Sequence, residues 1–163
     1  MAVTTIAAGT AGYARRMPNA SFTHRVTIER PAVHVWRRLQ EAETWAAIGP
    51  IERVWDAQHD TAGGLVRFRW AATVGPRNYT GTAAVVAKEE LRHMQLALDG
   101  GEVAGTLVAS LDQDGSAATS LEVTLSIVPR GALAIMFFPI VAQAVGNGLP
   151  TQVDRFAAGF TTG

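Results

Sequence analysis

The feature that most constrains the fold is an extended segment near the start of the chain that leads directly into a helix. Alternate residues of the segment lie on the same side of the extended chain, and these are Phe22, His24, Val26 and Ile28. This two-residue period is typical of a strand with one buried face. Pro31 follows, and its fixed φ and missing amide hydrogen suit the first turn of a helix. The pattern therefore predicts a half-buried strand followed by a helix, which the rest of the chain must cover.

Six further strands are predicted after the turn at Ile48-Gly49-Pro50. Short extended segments alternate there with residues that favour tight turns, as in an antiparallel meander. The turns are Ala62-Gly63-Gly64, Gly75-Pro76-Arg77-Asn78, Asp99-Gly100-Gly101 and Asp112-Gln113-Asp114-Gly115-Ser116, with a weaker one at Glu89-Glu90. The strands are predicted at residues 51–57, 65–74, 79–88, 91–98, 102–111 and 117–128.

A long helix is predicted over residues 130–160. Apolar residues recur there at spacings of three or four, which is one face of a helix. They are Phe137, Val141, Val145, Leu149, Val153, Phe156 and Phe160. Pro150 follows two glycines, so we expect a kink there and not an end. Pro139 leaves an alternative open, in which the helix starts at this proline and residues 132–138 form a separate turn.

Composition indicates one domain and excludes few kinds of chemistry. The chain has 163 residues, of which 48% are hydrophobic, and it has a net charge of zero with no cysteine. We predict a flexible leader at residues 1–20 and one domain at residues 21–161. The scattered charges give no basic surface for nucleic acid. The missing cysteines and the lack of a signal peptide suit a cytoplasmic location. The apolar run from Ala132 is broken by proline, so no integral membrane segment is expected, and the oligomeric state is not indicated.

The order β-α-α-β-β-β-β-β-β-α predicts an α+β helix-grip fold, in which a curved antiparallel sheet of about seven strands wraps around the long C-terminal helix. Over residues 21–160 the chain resembles the START-like or SRPBCC superfamily, which includes polyketide cyclase/dehydrase-like, CoxG-like and Bet v 1-like proteins. The resemblance is carried by Ile28-Glu29-Arg30-Pro31-Ala32, by Val35-Trp36-Arg37-Arg38-Leu39 and by Trp45. Ala42 departs from the pattern, because many members carry Asp there.

The resemblance implies a cavity between the sheet and the last helix that holds a hydrophobic or amphipathic small molecule. Strand alternation predicts which side chains face this interior. They are Phe68, Trp70, Tyr79, Met94, Leu96, Leu107, Leu121, Val123 and Leu125, joined by Phe137 and Val141 from the helix. Each of them is also an ordinary candidate for core packing.

Polar candidates for catalysis are few. His24 lies on the apolar side of the first strand and Tyr79 follows a turn, so these two form the one acid/base pair we can nominate. Arg67 and Arg69 alternate with apolar residues and should face solvent. The four histidines have no metal-ligand spacing and no nucleotide-binding loop is present, so we predict neither a metal nor a cofactor.

Three functions remain open from the sequence. The first is a binding or carrier domain for a hydrophobic small molecule, which needs an apolar cavity and one or two polar anchors. The second is an enzyme of the polyketide cyclase, aromatase or dehydratase kind, which needs His24 and Tyr79 to meet in the cavity. The third is a protein-interaction or assembly factor, for which the sequence shows no exposed apolar patch.

Overall fold

The computed structural model describes residues 19–160 except Gly75. Most of the predicted leader therefore lies outside the described residues, and its flexibility stays a prediction. The elements are β1 (Ala20–Ile28), α1 (Ala32–Leu39), α2 (Ala42–Ile48), β2 (Arg53–His59), β3 (Leu65–Val74), β4 (Arg77–Glu89), β5 (His93–Asp99), β6 (Val103–Asp114), β7 (Ala118–Pro129) and α3 (Ala132–Ala158). This is the predicted order.

All seven strands form one antiparallel sheet in the order β1-β7-β6-β5-β4-β3-β2. Strands β2 to β7 pair with their sequence neighbours, as expected for a meander. Strand β1 instead pairs with β7, from Ala20 opposite Ile127 to Ile28 opposite Thr119. The curved sheet and the long C-terminal helix confirm the predicted helix-grip fold class.

The junction between β1 and α1 is held by the hairpin that joins β6 and β7. Pro31 has φ −63° and ψ 155° and occupies the position before the helix, which begins at Ala32. The Ala32 amide donates a 2.8 Å hydrogen bond to Gln113 Oε1, and Thr119 Oγ1 donates a 2.7 Å bond to the Arg30 carbonyl. Free polar groups at the helix start thus find partners on the hairpin.

The tryptophan of the family-like motif closes the end of α1. Trp45 is completely buried, and its Nε1 donates a 3.0 Å hydrogen bond to the Leu39 carbonyl. Thr44 Oγ1 donates a 2.5 Å bond to the Arg38 carbonyl. Side chains of α2 thus bond two carbonyls of the last turn of α1, and the Arg38 carbonyl also accepts from the Glu41 amide at 3.1 Å. Helix α2 itself begins after Glu41 without a side-chain cap, which agrees with the departure from the family pattern at Ala42.

Helix α3 runs through both prolines, so the alternative start at Pro139 is wrong. Its buried residues are Ala134, Phe138, Val141, Val145, Leu149, Val153, Phe156 and Ala157. Phe160, after the helix, is also buried. The predicted stripe is correct from Val141 onward but wrong by one residue at its start, because Phe138 is buried and Phe137 is only half-buried. The kink at Pro150 stays a prediction.

Helix α3 approaches β1 closely at Gly146. A Cβ atom placed on this glycine would lie 2.5 Å from Cε1 of Phe22. No side chain fits between the helix backbone and that aromatic ring. The glycine therefore sets the distance between the helix and this edge of the sheet, and Phe22 packs against the core from the side of β1.

The outer face of the first half of α3 is apolar and exposed. Leu133, Met136 and Ile140 are 51%, 69% and 53% exposed, and no ionisable residue occurs in α3 before Asp154. The structure therefore shows an exposed apolar patch that the sequence analysis did not identify. By length and composition α3 is also long and apolar enough to cross a membrane. That is weak support for a span, because core helices of soluble proteins meet the same criteria.

Candidate functional site

A small cavity lies between the middle of α3 and one end of the sheet. Its volume is about 50 Å³. The sheet contributes the end of β3, the start of β4, the β5–β6 turn region and the end of β7, and α3 contributes Val141 and Val145. The described residues that line it are Pro50, Ile51, Trp70, Ala72, Val74, Tyr79, Leu98, Val103, Ala104, Gly105, Leu125, Ile127, Val141 and Val145.

The predicted interior residues divide into two groups. Trp70, Tyr79, Leu125 and Val141 line the cavity. The others on the sheet are buried in the core but do not line it: Phe68, Met94, Leu96, Leu107, Leu121 and Val123. Strand alternation identifies the inner face correctly, but it cannot tell which part of that face α3 leaves uncovered. The sequence analysis therefore did not identify the small lining residues Ala72, Ala104 and Gly105. Their small side chains leave space next to the helix, which is the signal that could have found them.

Phe137 does not line the cavity but belongs to a cluster of side chains at the same end of the sheet. The guanidinium of Arg77 lies over the Phe137 ring, with its carbon 5.0 Å from the ring centroid. Arg77 also forms an ion pair with Glu102. Hydrogen bonding to Glu102, with a further contribution from Tyr79, raises the pKa of the Arg77 guanidinium above its ordinary value. We call Arg77, Glu102 and Phe137 the cover, because they connect the starts of β4 and β6 to the first turns of α3.

Only two polar side chains occur among the described residues of the cavity wall. They are Trp70 and Tyr79, which are 6% and 8% exposed. Among the described residues, the indole nitrogen Nε1 of Trp70 is buried and has no hydrogen-bond partner. Every other lining side chain is aliphatic or absent. The cavity therefore suits an apolar guest, and it offers very few groups for acid/base chemistry.

The nominated pair of His24 and Tyr79 is not brought together. Three strands separate β1 from β4 in the sheet, and His24 does not line the cavity. Instead, His24 Nε2 lies 2.8 Å from Asp154 Oδ1 on α3, with the two side chains 27% and 60% exposed. This contact joins the first strand to the second half of α3 at the protein surface.

The arginines of β3 face outward, as predicted. Arg67 and Arg69 are exposed, and Arg69 lies over the ring of Trp55 with its guanidinium carbon 5.8 Å from the centroid. Among residues 19–160 without Gly75, no three His, Asp or Glu side chains are grouped so that they could hold a metal ion.

A polar surface cleft lies between α1 and the β2–β3 hairpin, where its wall includes Trp36, Gln40, His59, Asp60 and Lys88. Asp60 Oδ1 accepts hydrogen bonds from the amides of Gly64 and Ala62, at 2.8 and 3.0 Å. The bond from Gly64 is the largest cause that holds the pKa of Asp60 below its ordinary value. The Gln40 side chain bonds the Leu65 amide. Asp60 and Gln40 thus use their side chains to hold the hairpin.

Solved structures with the same fold were found, although no family model and no curated protein matches the chain. A START superfamily protein from Mycobacterium smegmatis is 17% identical with a TM-score of 0.65, over 85% of this chain and 94% of that one. The Zhui aromatase/cyclase from Streptomyces sp. R1128 is 18% identical with a TM-score of 0.54, over 89% and 88%.

A third similar structure is norcoclaurine synthase from Thalictrum flavum in complex with dopamine and hydroxybenzaldehyde. It is 14% identical with a TM-score of 0.59, over 90% of this chain and 88% of that one. At these identities the likeness concerns the fold and not the site. The element order, the sheet and these structures together show that the chain has the helix-grip fold of the START-like, or SRPBCC, superfamily.

Proposed function

We propose that this protein binds a small apolar molecule in the cavity between the sheet and α3. The observation that carries the proposal is the composition of the cavity wall, which is aliphatic and aromatic with two polar side chains. Such a wall favours apolar guests through the hydrophobic effect, with few polar groups to orient them. The position of the cavity, between the sheet and the long helix, also supports the proposal, because the fold leaves space there.

The cavity must widen when it binds a guest. Its volume of about 50 Å³ is well below the roughly 300 to 1,000 Å³ of ordinary ligand sites. The first half of α3 is the part that can move. It buries only Ala134 and Phe138 before Val141, and Pro139 cannot donate the backbone hydrogen bond that a helix interior normally has. Outward movement of this half would separate Phe137 from Arg77 and enlarge the space above Val141.

Binding without chemical conversion is the form of the proposal that the site supports. Two of the similar structures are an aromatase/cyclase and a norcoclaurine synthase, so a cyclase-type activity is the natural alternative. It needs a convergent acid/base pair. Tyr79 is present in the wall, but His24 is engaged with Asp154 on the surface. We therefore expect a guest to be recovered unchanged.

Filling the cavity tests the proposal. Ala72 lines it, and replacement by Val should occupy part of the space while suiting a strand. We expect Ala72→Val to weaken binding of the neutral probe N-phenyl-1-naphthylamine at least tenfold, measured by fluorescence titration, with no loss of thermal stability. Ala57→Val adds the same groups on exposed β2 and should leave the affinity unchanged. Equal affinity in both variants and the parent would refute binding in this cavity.

The exposed apolar patch favours a second candidate function, which is interaction with another protein through the outer face of α3. Leu133, Met136 and Ile140 form this patch. A Met136→Lys and Ile140→Lys double variant should keep its probe affinity, because neither residue lines the cavity. If self-association of the parent in analytical ultracentrifugation disappears in this variant, the patch is an interface. A parent that stays monomeric at high concentration would exclude self-association as the role of the patch.

A further inference from the structure

Each residue of the cover adjoins a residue of the cavity wall. These neighbours are Tyr79 in β4, Val103 in β6 and Val141 in α3. Arg77 lies two positions before the first of them on the same face of its strand, and Glu102 directly precedes the second. Phe137 lies about one helical turn before the third. The cover therefore lies at the end of the cavity where the sheet meets the first turns of α3.

The position of Glu102 is fixed by backbone hydrogen bonds on both of its sides. Its amide donates a 3.0 Å bond to the Gly100 carbonyl, and its carbonyl accepts a 2.6 Å bond from the Arg130 amide. Gly101, with φ 81°, allows the tight turn between them. The Arg130 guanidinium also donates a 3.0 Å bond to Asp99 Oδ1. Glu102 is thus held both to the β5–β6 turn and to the segment that leads into α3.

Arg77 lies between this fixed carboxylate and the ring of Phe137. Its guanidinium forms the ion pair with Glu102, and its guanidinium carbon lies 5.0 Å from the ring centroid. An arginine side chain has many rotamers, so a second contact is needed to keep it over one ring. Glu102 supplies that contact. Since Phe137 belongs to the half of α3 that buries few residues, its contact with Arg77 joins that half to the sheet.

We propose that the ion pair between Arg77 and Glu102 keeps the cover closed and thereby controls how fast a guest enters the cavity. This inference rests on the proposed function and adds the control of guest entry. Outward movement of the first half of α3 separates Phe137 from Arg77, and the ion pair opposes this step by keeping the guanidinium in place over the ring. Without the pair, Arg77 leaves the ring more often and the helix opens more often.

Replacing Glu102 by glutamine tests the proposal, because the change removes the charge and keeps the shape of the side chain. Stopped-flow fluorescence measures association of N-phenyl-1-naphthylamine. We expect association with Glu102→Gln to be about threefold faster than with the parent, which is the size of effect of a partly exposed ion pair. Glu122→Gln is the matched control, since Glu122 pairs with Arg25 and neither residue lines the cavity. Its association rate should equal that of the parent.

Two further readouts distinguish loss of the ion pair from a change in packing. The probe is neutral, so salt screens the pair in the parent without changing any long-range attraction between probe and protein. The ratio of the two association rates should therefore fall toward one between about 0.01 M and about 1 M sodium chloride. In a Phe137→Ala background, Glu102→Gln should give no further acceleration, because Glu102 acts through the contact between Arg77 and Phe137.

The outcomes separate this inference from the proposed function. Equal association rates for Glu102→Gln and the parent, or the same acceleration in Glu122→Gln, would refute the role of the ion pair. So would a rate ratio that does not change with salt, or a further acceleration in the Phe137→Ala background. Each of these results leaves the binding function in place. If the parent does not bind the naphthylamine probe, both the inference and the proposed function are wrong.

Discussion

Phe137 and Phe138 are neighbours in the chain but meet different surroundings. Phe138 is 6% exposed and packs in the core, while Phe137 is half-buried beneath the Arg77 guanidinium. Stacking of a guanidinium on a ring at a partly exposed site contributes about 0.5 to 1 kcal/mol. A fully buried phenylalanine contributes several times more through burial and packing. We therefore expect loss of the Phe137 ring to affect mainly the contact between Arg77 and the start of α3, and loss of the Phe138 ring to affect global stability.

Replacing each phenylalanine by alanine should separate these properties. We expect Phe138→Ala to lower the free energy of unfolding by about 3 to 5 kcal/mol, and Phe137→Ala to lower it by only about 1 kcal/mol through loss of the Arg77 contact. Phe137→Ala should also speed association of the naphthylamine probe, because the cover is weakened. Urea denaturation and stopped-flow fluorescence measure the two effects. Equal destabilisation by both changes would show that Phe137 is ordinary core.

His24 is expected to have a structural role. Its contact with Asp154 is a partly exposed pair at 2.8 Å, and such pairs contribute about 0 to 1 kcal/mol. His24→Gln should therefore cost less than about 1 kcal/mol and should leave a bound ligand chemically unchanged, as in the parent. A double-mutant cycle with Asp154→Asn measures the coupling. A guest that is converted by the parent and recovered intact from His24→Gln would contradict the carrier function.

Single elements show which parts of the sequence pattern determine structure. Strand β3 has the predicted bounds, because apolar alternation and turn residues on both sides coincide there. The buried face of the first turns of α3 is harder to predict. Phe137 and Phe138 lie four and three residues before Val141, and both spacings fit one face of a helix. Leu133, Met136 and Ile140 form a second apolar stripe with the same spacing. The sequence cannot tell which stripe faces the sheet, because packing decides it.

Helix α3 provides an element-scale prediction through its two prolines. An interior proline destabilises a helix by about 3 kcal/mol or more, so Pro139→Ala should raise the free energy of unfolding and stiffen the half of α3 that must move. We expect probe association to become slower. Pro150→Ala is the control, because it lies beyond Val141 and Val145, the helix residues of the cavity. It should also stabilise the protein but leave the association rate unchanged. Slowing by both variants alike would contradict local opening at Pro139.

The β2–β3 hairpin should depend on pH through Asp60. Backbone hydrogen bonds, chiefly from Gly64, lower the pKa of Asp60 from its ordinary value of 3.8. A depressed pKa in the folded state stabilises the fold above the unfolded value, and this contribution disappears as the pH falls through the folded value. Asp60→Asn should therefore be less stable than the parent at pH 7, and the difference should close below pH 3.8. Thermal denaturation at both pH values measures this, and a pH-independent difference would exclude the charge as its cause.

For the whole molecule, the fold was predictable and the size of the cavity was not. The order of strands and helices follows from local periodicity and turn chemistry, and Trp45 with Pro31 marks the region that α1 and α2 occupy. Cavity volume depends instead on the gap between α3 and the sheet, which is set by long-range contacts such as Gly146 against Phe22. A missing side chain at one position thus lets the helix approach the sheet, without any local signal in the sequence. The unpaired Trp70 donor is likewise visible only once its neighbours are placed.

We expect the first half of α3 to be less stable against local opening than the centre of the sheet. The start of α3 buries Ala134 and Phe138, whereas its later turns bury Val145, Leu149 and Val153 among others, and β6 and β7 lie inside the sheet. Regions with few buried contacts open with less free energy than the global value. Hydrogen exchange should therefore show faster opening of residues 132–140 than of the centres of β6 and β7.

A bound ligand should reduce the difference in hydrogen-exchange rate between the first half of α3 and the sheet. A guest that binds only the folded state stabilises it by about 2.7 kcal/mol at one hundred times its Kd, and it would contact Val141 and Val145 on α3. With N-phenyl-1-naphthylamine at saturation, exchange should slow most in residues 132–145 and less in the sheet, because the helix is then held against the guest. Exchange that is equally slow along all of α3 without ligand would contradict opening of its first half, and the cavity would then need another route of entry.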